Sequence, residues 1–390
     1  MESLPFHLLE EILFKLDPKS LVMMQCADKS IKSHVSKDPY FKPEYFPRLG
    51  SDLLHMSSLG SNLLFCHSND SRSTRDNNKD PLKIEFSHIL GSCSGLLLLF
   101  IHGLCMANPL TKRFRFLDHS KSNLLSDTGR NRLSRKNKNR IGFMADGITQ
   151  RFNIVCVQEL NASNPDETMY RFEINSGDSR WRLSKSTVTC GSSNLMTGMK
   201  PVYLNGSLHW LRNDGSIVAF DPETQRARLI PTILPQGIIR SKILFAAGDN
   251  KLALVSTTVE AIYIFTLEEI STDHPKWVLA KRIVSLEDKE NINVVAYDGK
   301  CLMVRETKKK SYDGLVHGYD LRANKWRVIG SIPGSCDSAH DFYQFKPSFF
   351  SVKVLVDVMT MVHDHDDKRM SSLCTIMRLI DEMSHTLRTC

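Results

Sequence analysis

The sequence predicts a small all-α unit at the N-terminus followed by a mainly-β domain built from repeats. In residues 1–41, apolar side chains recur every three or four positions, which is the helical period. From Gly91 onward, short runs rich in aliphatic and aromatic residues alternate with turn clusters, and these runs recur at a regular interval. A chain of 390 residues is also long enough for two or three structural units.

The composition is that of a globular protein, with 41% hydrophobic and 24% charged residues. The longest aliphatic run, from Leu96 to Ile101, is far shorter than the roughly 20 residues that a membrane-spanning helix needs. The N-terminus lacks the basic region and apolar segment of a secretory signal. We therefore expect an intracellular protein, in the nucleus, the cytoplasm or both, with no membrane segment.

Residues 1–41 predict three short helices. The first follows Pro5, a favoured first helical residue, and carries the apolar stripe Leu8, Leu9, Ile12, Leu13 and Leu16. Asp17-Pro18 ends it and starts the second helix, and Asp38-Pro39 ends the third. A unit of about forty residues is near the lower size limit for independent folding, so part of its apolar surface is expected to bind a partner.

This unit resembles the F-box. The matching residues are Leu4-Pro5, the run from Leu8 to Leu13, Leu16, Lys19-Ser20-Leu21, Lys29 and Asp38-Pro39-Tyr40-Phe41. The chain departs from the family pattern at Leu16-Asp17-Pro18, where Leu-Pro is usual, and at Ile31, where tryptophan is usual. The resemblance implies binding to the S-phase-kinase-associated adaptor and, through it, to cullin. The residues predicted to bind the adaptor are Leu4, Pro5, Leu8, Ile12, Leu13, Leu21 and Val22. An unrelated helical bundle is the alternative.

Residues from 91 onward contain five repeated units. Each has an aliphatic strand, an apolar or aromatic strand, a polar turn and a strand with Trp or Arg. The equivalent positions Phe172, Phe220, Phe265 and Tyr319 are 48, 45 and 54 residues apart. A period of about 50 residues with four strands per unit is typical of kelch-type propeller blades. Blade number stays open, because a sixth blade would have to come from the weaker segments 62–86 and 342–356.

The repeats resemble the kelch-like F-box-associated domain of plant F-box proteins. The runs GSCSGLLLL from Gly91 and NPLTKRFRFL from Asn108 carry this resemblance. The predicted organisation has four parts. They are an F-box over 1–41, a linker or loop over 42–90 whose contribution of a strand is left open, a kelch-like F-box-associated β-propeller over 91–350, and a C-terminal strand and helix tail over 351–390.

No pattern of residues predicts catalysis or a cofactor. The chain has no GxSxG, HExxH, GxxxxGK[ST] or GxGxxG string. The cluster His363 to Asp367 alternates between strand faces and is interpreted as a solvated turn rather than a metal site, while His209 is predicted to pack in the core. The ten cysteines are at least twelve residues apart, so we expect small buried side chains and no zinc or redox pair.

A basic run has six positive residues in eleven and no acidic residue: Arg130, Arg132, Arg135, Lys136, Lys138 and Arg140. It is interpreted as a solvated loop between blades, with a nuclear-localisation signal and a contact to an anionic partner as alternatives. Nucleic acid is the least favoured partner, because no aromatic residue that could stack on bases lies between Phe116 and Phe143.

These features together predict the substrate-recognition subunit of an SCF-type cullin-RING ubiquitin ligase. By the resemblance, the F-box would dock the adaptor and the propeller would hold a target protein, whose identity the sequence does not give. Such a subunit needs no catalytic residues, because it acts by holding the target near the conjugating enzyme. The alternatives are an interaction scaffold with a degenerate F-box and, third, an enzyme built on a propeller.

Overall fold

The computed structural model describes most of the chain. The described residues are 5–48, 52–56, 63–66, 87–101, 103–126, 133, 135–162, 164–178, 180–238, 242–270, 274–284, 292–307, 314–332, 342–352, 369–377 and 380.

The N-terminal unit has four helices. They are α1 (Phe6–Lys15), α2 (Pro18–Ala27), α3 (Lys29–Lys37) and α4 (Phe41–Arg48). The first three match the predicted helices, whereas α4 falls in the segment predicted to be a linker. Phe41 and Tyr45 lie one turn apart on α4 and are buried in the core of the unit. This packing compensates for the low helix propensity of a segment with two prolines.

The described strands form six antiparallel sheets, which we call blades 1 to 6. Blade 1 is β3 (Ser87–Cys93), β4 (Leu96–Ile101), β5 (Leu104–Asn108) and β6 (Arg113–Leu117). Blade 2 is β7 (Ile141–Asp146), β8 (Arg151–Asn161), β9 (Glu167–Asn175) and β10 (Arg182–Gly191), preceded by the short helix α5 (Arg135–Lys138). Blade 3 is β11 (Val202–Leu204), β12 (Ser207–Leu211), β13 (Ile217–Asp221) and β14 (Arg226–Ile230).

The remaining blades complete the ring. Blade 4 is β15 (Ile243–Gly248), β16 (Lys251–Thr257), β17 (Ala261–Glu268) and β18 (Lys276–Val284). Blade 5 is β19 (Ile292–Tyr297), β20 (Cys301–Thr307), β21 (Gly314–Asp320) and β22 (Lys325–Ile332). Blade 6 is β1 (Asp52–Met56), β2 (Leu63–Cys66) and β23 (Phe342–Phe345). The prediction of a mainly-β, propeller-like domain is confirmed, with six blades in the described residues.

Blade 6 closes the ring by pairing a strand that precedes blade 1 in the chain with a strand that follows blade 5. The strand β1 pairs with β2 on one side and with β23 on the other, with Leu53 opposite Gln344 and His55 opposite Phe342. The strand β23 in turn lies against β3 of blade 1 and β19 of blade 5. The propeller therefore includes strands from the segment 42–90, and the predicted start at residue 91 falls inside β3.

Asn108 and Asp221 each begin the turn of a hairpin and hold it with a side-chain oxygen. The Asp221 carboxylate accepts hydrogen bonds from the amides of Glu223 (2.8 Å) and Thr224 (3.1 Å). The Asn108 side chain does the same for Leu110 and Thr111. These Asx turns fix the hairpins between the outer two strands of blades 1 and 3.

The C-terminal tail contains a helix over residues 369–377. Its buried residues Leu373, Ile376 and Met377 pack with Leu54 of blade 6 and Leu99 of blade 1. The helix thus covers the junction beside the three-stranded blade. Most of the predicted C-terminal strand lies outside the described residues, and Ser351 and Val352 are not in a strand. None of the helices in the described ranges has the length and apolar content needed to cross a membrane.

Candidate functional site

The four N-terminal helices enclose one small apolar core. Its buried members are Leu13, Leu21, Ile31, Val35, Phe41 and Tyr45. The aromatic rings reinforce it: Phe41 stacks on Phe14 with centroids 4.9 Å apart and on Tyr45 at 5.7 Å. Ile31 fills a core position and is 5% exposed, so an aliphatic side chain is accommodated there.

A second set of apolar side chains on the same helices faces outward. Leu8 is 40% exposed and Ile12 47%, one turn apart on α1. On α2, Met23 is 63% exposed and Met24 37%. We call these four residues the exposed apolar set. Large apolar side chains left in water on so small a unit are typical of a protein–protein contact.

The link between the helices and the propeller runs through Phe349. Its ring lies 6.3 Å from that of Tyr45 and 5.1 Å from that of Phe46. The neighbouring backbone is bound to blade 1, because the Asn108 side-chain amide donates to the carbonyls of Ser348 (3.0 Å) and Phe350 (2.8 Å). The helices therefore contact the ring through partly buried aromatic rings on a segment that is itself hydrogen-bonded to blade 1.

This link defines two faces of the propeller. In an antiparallel blade, the turn after the first strand and the turn after the third lie at one end, and the remaining connections lie at the other. Ser348 lies against Gly95, in the turn after the first strand of blade 1. We call the face with these turns the proximal face. The opposite, distal face carries the connections between blades.

The distal face includes both an ordered loop and exposed apolar residues. Glu173 is buried and accepts hydrogen bonds from the Ser122 hydroxyl (2.9 Å) and the Asn123 amide, which holds the loop after β6 in place. Ile233, in the connection after blade 3, is 83% exposed, and Val259, in the turn after β16, is 74% exposed. These side chains are available for contact with another molecule.

A cavity of about 290 Å³ lies among the innermost strands. All six blades contribute to its wall, through residues such as Ser92, Phe143, Tyr203, Ala246, Tyr297 and Gln344. Among the described residues that line it, Lys200 is the charged one.

Comparison with known proteins decides the family. A family model described as the F-box associated beta propeller domain matches residues 53–312. A putative F-box protein of Arabidopsis thaliana is 51% identical, over 98% of this chain and 97% of its own length. This chain belongs to the plant F-box proteins with an F-box-associated β-propeller.

Other comparisons agree in part. A putative F-box/kelch-repeat protein of Arabidopsis thaliana is 51% identical over 92% of this chain and 79% of its own length. Among solved structures, a chain from a nidogen/laminin complex covers 75% of this chain and 97% of its own, with 16% identity and a TM-score of 0.39, which is a distant likeness. Because the F-box protein at 51% identity covers 98% of this chain, the four-helix unit is called the F-box from here on.

The structure divides the seven predicted adaptor-binding residues. Pro5, Leu8 and Ile12 are exposed and Val22 is half-buried, while Leu4 lies outside the described residues. Leu13 and Leu21 are fully buried in the F-box core, so the prediction of a single uncovered stripe is wrong for these two. The helical period identified both faces of α1 as apolar, but it could not say which face other helices would cover. Met23 and Met24 were missed.

His34 ties two helices of the F-box together. Its Nε2 lies 3.5 Å from the Glu10 carboxylate on α1, and its Nδ1 lies 3.5 Å from the Asp38 carboxylate at the end of α3. In the part of the chain that the structure describes, this is the one group of three such side chains close enough to share a metal ion. The cluster His363 to Asp367 lies outside that part.

The departure at Asp17 has a structural explanation. Asp17 caps α2, accepting hydrogen bonds from the Ser20 amide (2.8 Å) and the Ser20 hydroxyl (2.6 Å). Pro18 then occupies the first helical position, where its missing N–H costs nothing. The substitution of Asp-Pro for a family proline therefore keeps the start of α2 defined.

The capping role predicts a measurable effect of Asp17→Ala. Loss of an N-cap typically costs about 1 kcal/mol, which should raise the equilibrium constant for local opening of α2 about fivefold. Hydrogen exchange of the α2 amides should then be about fivefold faster. Asp17→Asn keeps a capping oxygen and serves as the control. Equal exchange in Asp17→Ala and wild type would show that the cap does not stabilise α2.

The basic run is only partly accessible. Arg140 is half-buried and forms an ion pair with Glu159, so the prediction that the whole run faces water is wrong at this position. Residues 135–138 form the short helix α5, next to the buried Leu133. Arg130 and Arg132 lie outside the described residues. The nuclear-localisation role stays a prediction.

The described cysteines include both buried and exposed side chains. Cys105 and Cys156 are buried as predicted, and burial raises the pKa of the Cys105 thiol to about 12. Cys26 and Cys374 are exposed, which corrects the prediction for these two. Cys336 and Cys390 lie outside the described residues.

His209 packs in the core, as predicted, and is 2% exposed. Burial lowers its pKa to about 4, and the hydrogen bond with the Val202 carbonyl only partly offsets this. Because the folded pKa lies below that of an exposed imidazole, about 6.5, the unfolded chain binds the proton more readily. The neutral, buried His209 therefore contributes its full stability above pH 6.5, and the free energy of unfolding decreases as the pH falls toward 4.

We expect the difference between the folded and unfolded pKa of His209 to lower the free energy of unfolding by about 3 kcal/mol as the pH falls from 6.5 to 4. Urea unfolding of wild type and His209→Leu at a series of pH values measures it, since other titrating groups are common to both proteins. The gap in unfolding free energy should narrow or reverse as the pH falls. A gap that stays constant across this range would contradict a neutral buried His209.

Proposed function

We propose that this protein is the substrate-recognition subunit of an SCF-type cullin-RING ubiquitin ligase. The observation that carries the proposal is the exposed apolar set of Leu8, Ile12, Met23 and Met24, on an F-box whose own core is already complete. These side chains are available to bind the S-phase-kinase-associated adaptor. Cullin would then be reached through the adaptor.

The target protein binds the distal face of the propeller in this proposal. The F-box and the segment around Phe349 occupy the proximal side, which leaves the opposite side open to a second protein. The exposed side chains of Ile233 and Val259 on that side support a protein contact. This arrangement keeps adaptor and target from competing for one surface.

The reaction itself is assigned to other subunits. Holding the target beside a ubiquitin-charged conjugating enzyme raises the effective concentration of its lysines, and this alone accelerates transfer. The contribution of this chain is then binding and orientation. The Phe349 contact contributes to orientation, because it couples the F-box to the ring.

Affinity purification of the tagged full-length protein from plant tissue tests the proposal. Adaptor and cullin should co-purify in near-equal amounts, and further proteins are target candidates. A pull-down with purified adaptor alone should give a stable one-to-one complex on size-exclusion chromatography. Recovery of other partners without adaptor and cullin would instead indicate a scaffold with a degenerate F-box and overturn the proposal.

The intracellular location is a linked proposal, with the basic run as an import signal. A fluorescent fusion in which Arg130, Arg132 and Arg135 are replaced by serine is compared with wild type in the same cells. These substitutions leave the Arg140–Glu159 pair intact, so folding is preserved. Loss of nuclear fluorescence is the expected result, and identical distributions would leave the run as a surface loop.

A further inference from the structure

The outermost strands of blades 1 to 5 are rich in cations and contain no acidic residue. These are the fourth strands β6, β10, β14, β18 and β22, which together carry eleven lysine and arginine residues. They are Arg113, Arg115, Arg182, Lys185, Arg226, Arg228, Lys276, Lys281, Arg282, Lys325 and Arg327. The whole chain has a net charge of +8, so the rest of the chain has a net negative charge. A positive rim attracts acidic partners.

Exposed aliphatic side chains concentrate on one part of this rim. In the described part of the propeller, five of the eight exposed large apolar residues belong to blade 4 and the connection that leads into it. They are Ile233, Val259, Val278, Leu279 and Val284. Apolar side chains grouped in this way are typical of a protein contact.

The strand β18 directs several of these side chains toward blade 3. Residues directly opposite each other in antiparallel strands project from the same side of a sheet. Leu279 is opposite Phe265, which packs in the core shared by blades 3 and 4. Arg282 is opposite Tyr263, which alternates with Ile262 of the core shared by blades 4 and 5. The exposed residues of β18 on the blade 3 side are therefore Leu279, Arg282 and Val284.

The strand β14 of blade 3 adds two arginines that face blade 4. Arg228 is opposite Ala219, which packs in the core shared by blades 3 and 4, and Arg226 lies two residues earlier on the same side. Because β14 has five residues and β18 has nine, the longer strand keeps Leu279 49% and Val284 68% exposed. The blade 3–4 rim surface is the name used below for Arg226, Arg228, Leu279, Arg282 and Val284.

The three arginines of this surface form no ion pair with a carboxylate of the described residues. Arg228 donates to the Ile270 carbonyl at 3.4 Å, and the Arg282 guanidinium carbon lies 6.0 Å from the centre of the Tyr263 ring. Both contacts leave N–H groups of the exposed guanidinium groups in water. These groups are available to bind carboxylates bidentately.

The acidic side chains near this surface lie at its two ends. Asp221, opposite Arg226, and Glu223 are in the proximal turn before β14, where the Asp221 carboxylate accepts backbone amides. Glu260 is in the distal turn after β16. The stretch between these turns presents arginine and aliphatic side chains, which are complementary to a segment that is both acidic and apolar.

We propose that the blade 3–4 rim surface binds an extended, acidic and apolar segment of the target protein, which deepens the target-binding role proposed above and rests on it. The nine residues of β18 span about 30 Å, enough for about eight extended residues of a partner. Carboxylates would pair with the arginines, and aliphatic side chains would cover Leu279 and Val284. A nucleic acid would satisfy the charges but has no aliphatic side chain for these two residues.

Fluorescence anisotropy of the full-length protein with labelled twelve-residue peptides tests the proposal. The first peptide has leucine at every third position and glutamate elsewhere. In the second, serine replaces leucine, and in the third, lysine replaces glutamate. The first peptide should bind about tenfold more tightly than either of the others, because only it matches both the charge and the apolar side chains.

Two double variants of the protein test the surface itself. Arg228→Glu with Arg282→Glu should weaken binding of the first peptide about tenfold or more. Its control is Arg113→Glu with Lys325→Glu, which makes the same change in net charge at exposed positions of β6 and β22. Leu279→Ser with Val284→Ser should weaken binding about threefold to tenfold. Its control is Leu183→Ser with Val328→Ser, at similarly exposed positions of β10 and β22. Both controls should bind as wild type.

The proposal is overturned if the first peptide gives no saturable binding, or if both surface variants bind it as wild type. Equal binding of the serine peptide or of an oligouridylate would indicate a general polyanion contact and also overturn it. Binding that appears only after Glu287, Asp288 and Glu290 are neutralised would assign the surface to the acidic segment of this chain that follows Val284. Adaptor pull-down with the same variants should be unchanged. Loss of peptide binding with adaptor binding retained in wild type therefore counts against this inference alone, whereas failure of wild type to bind adaptor counts against the ligase role.

Discussion

Replacing Leu8 and Ile12 together by aspartate is expected to weaken adaptor binding at least a hundredfold while the F-box stays folded. Leu8 is 40% and Ile12 47% exposed, and neither belongs to the buried core of the F-box, so their replacement leaves that core intact. In a complex they would be covered, where each buried leucine or isoleucine contributes about 1.5 to 3 kcal/mol. Burying a carboxylate in their place adds a further penalty. Calorimetry with purified adaptor measures the affinity.

Two controls separate binding from folding. Val259→Asp places the same charge on an exposed apolar residue of the distal face and should leave adaptor affinity unchanged. Leu13→Ala alters the neighbour of Ile12 but removes a buried side chain, so it should destabilise the F-box by about 2 to 5 kcal/mol. Wild-type affinity in the double aspartate variant, with unchanged hydrogen exchange in α1, would place the adaptor contact elsewhere.

The contrast between Ile12 and Leu13 shows how far the sequence predicts this site. The three-to-four-residue period correctly placed α1, and the resemblance to the F-box correctly indicated the family. Both residues fit the apolar pattern, yet one is 47% exposed and the other fully buried. That difference depends on where α3 and α4 pack, and Phe41 and Tyr45 of α4 lie in a segment whose prolines conceal a helix.

A similar limit applies to the ring. Four of the five visible units contain an aromatic residue at an equivalent position, so the repeat was evident from local patterns alone. The sixth blade has no such unit, because its strands come from residues 52–66 and 342–345 and meet only when the ring closes. The position of Arg140 could not be predicted for the same reason. Its charge predicts exposure to water, and only the tertiary fold brings Glu159 beside it.

Ring closure leads to the second large effect, which concerns the fragment 91–350. This fragment spans the five repeats visible in the sequence but lacks β1, β2, the first part of β3 and the C-terminal helix. We expect it to show no cooperative thermal transition and to aggregate. The matched fragment 49–390 retains every described strand and should melt cooperatively, as measured by calorimetry and circular dichroism.

The size of the expected effect follows from the side chains that the shorter fragment leaves out or uncovers. Relative to 49–390, the omitted buried apolar residues are Leu53, Leu54, Ile89, Leu90, Val352, Leu373, Ile376, Met377 and Ile380. At about 1.5 to 3 kcal/mol each, their combined burial is comparable with or larger than the 5 to 15 kcal/mol net stability of a typical domain. Phe342 and Phe345 would also lose the pairing of β23 with β1. A cooperative melt of 91–350 at the temperature of 49–390 would mean that five blades close without the N-terminal strands, and that blade 6 adds little to the stability of the ring.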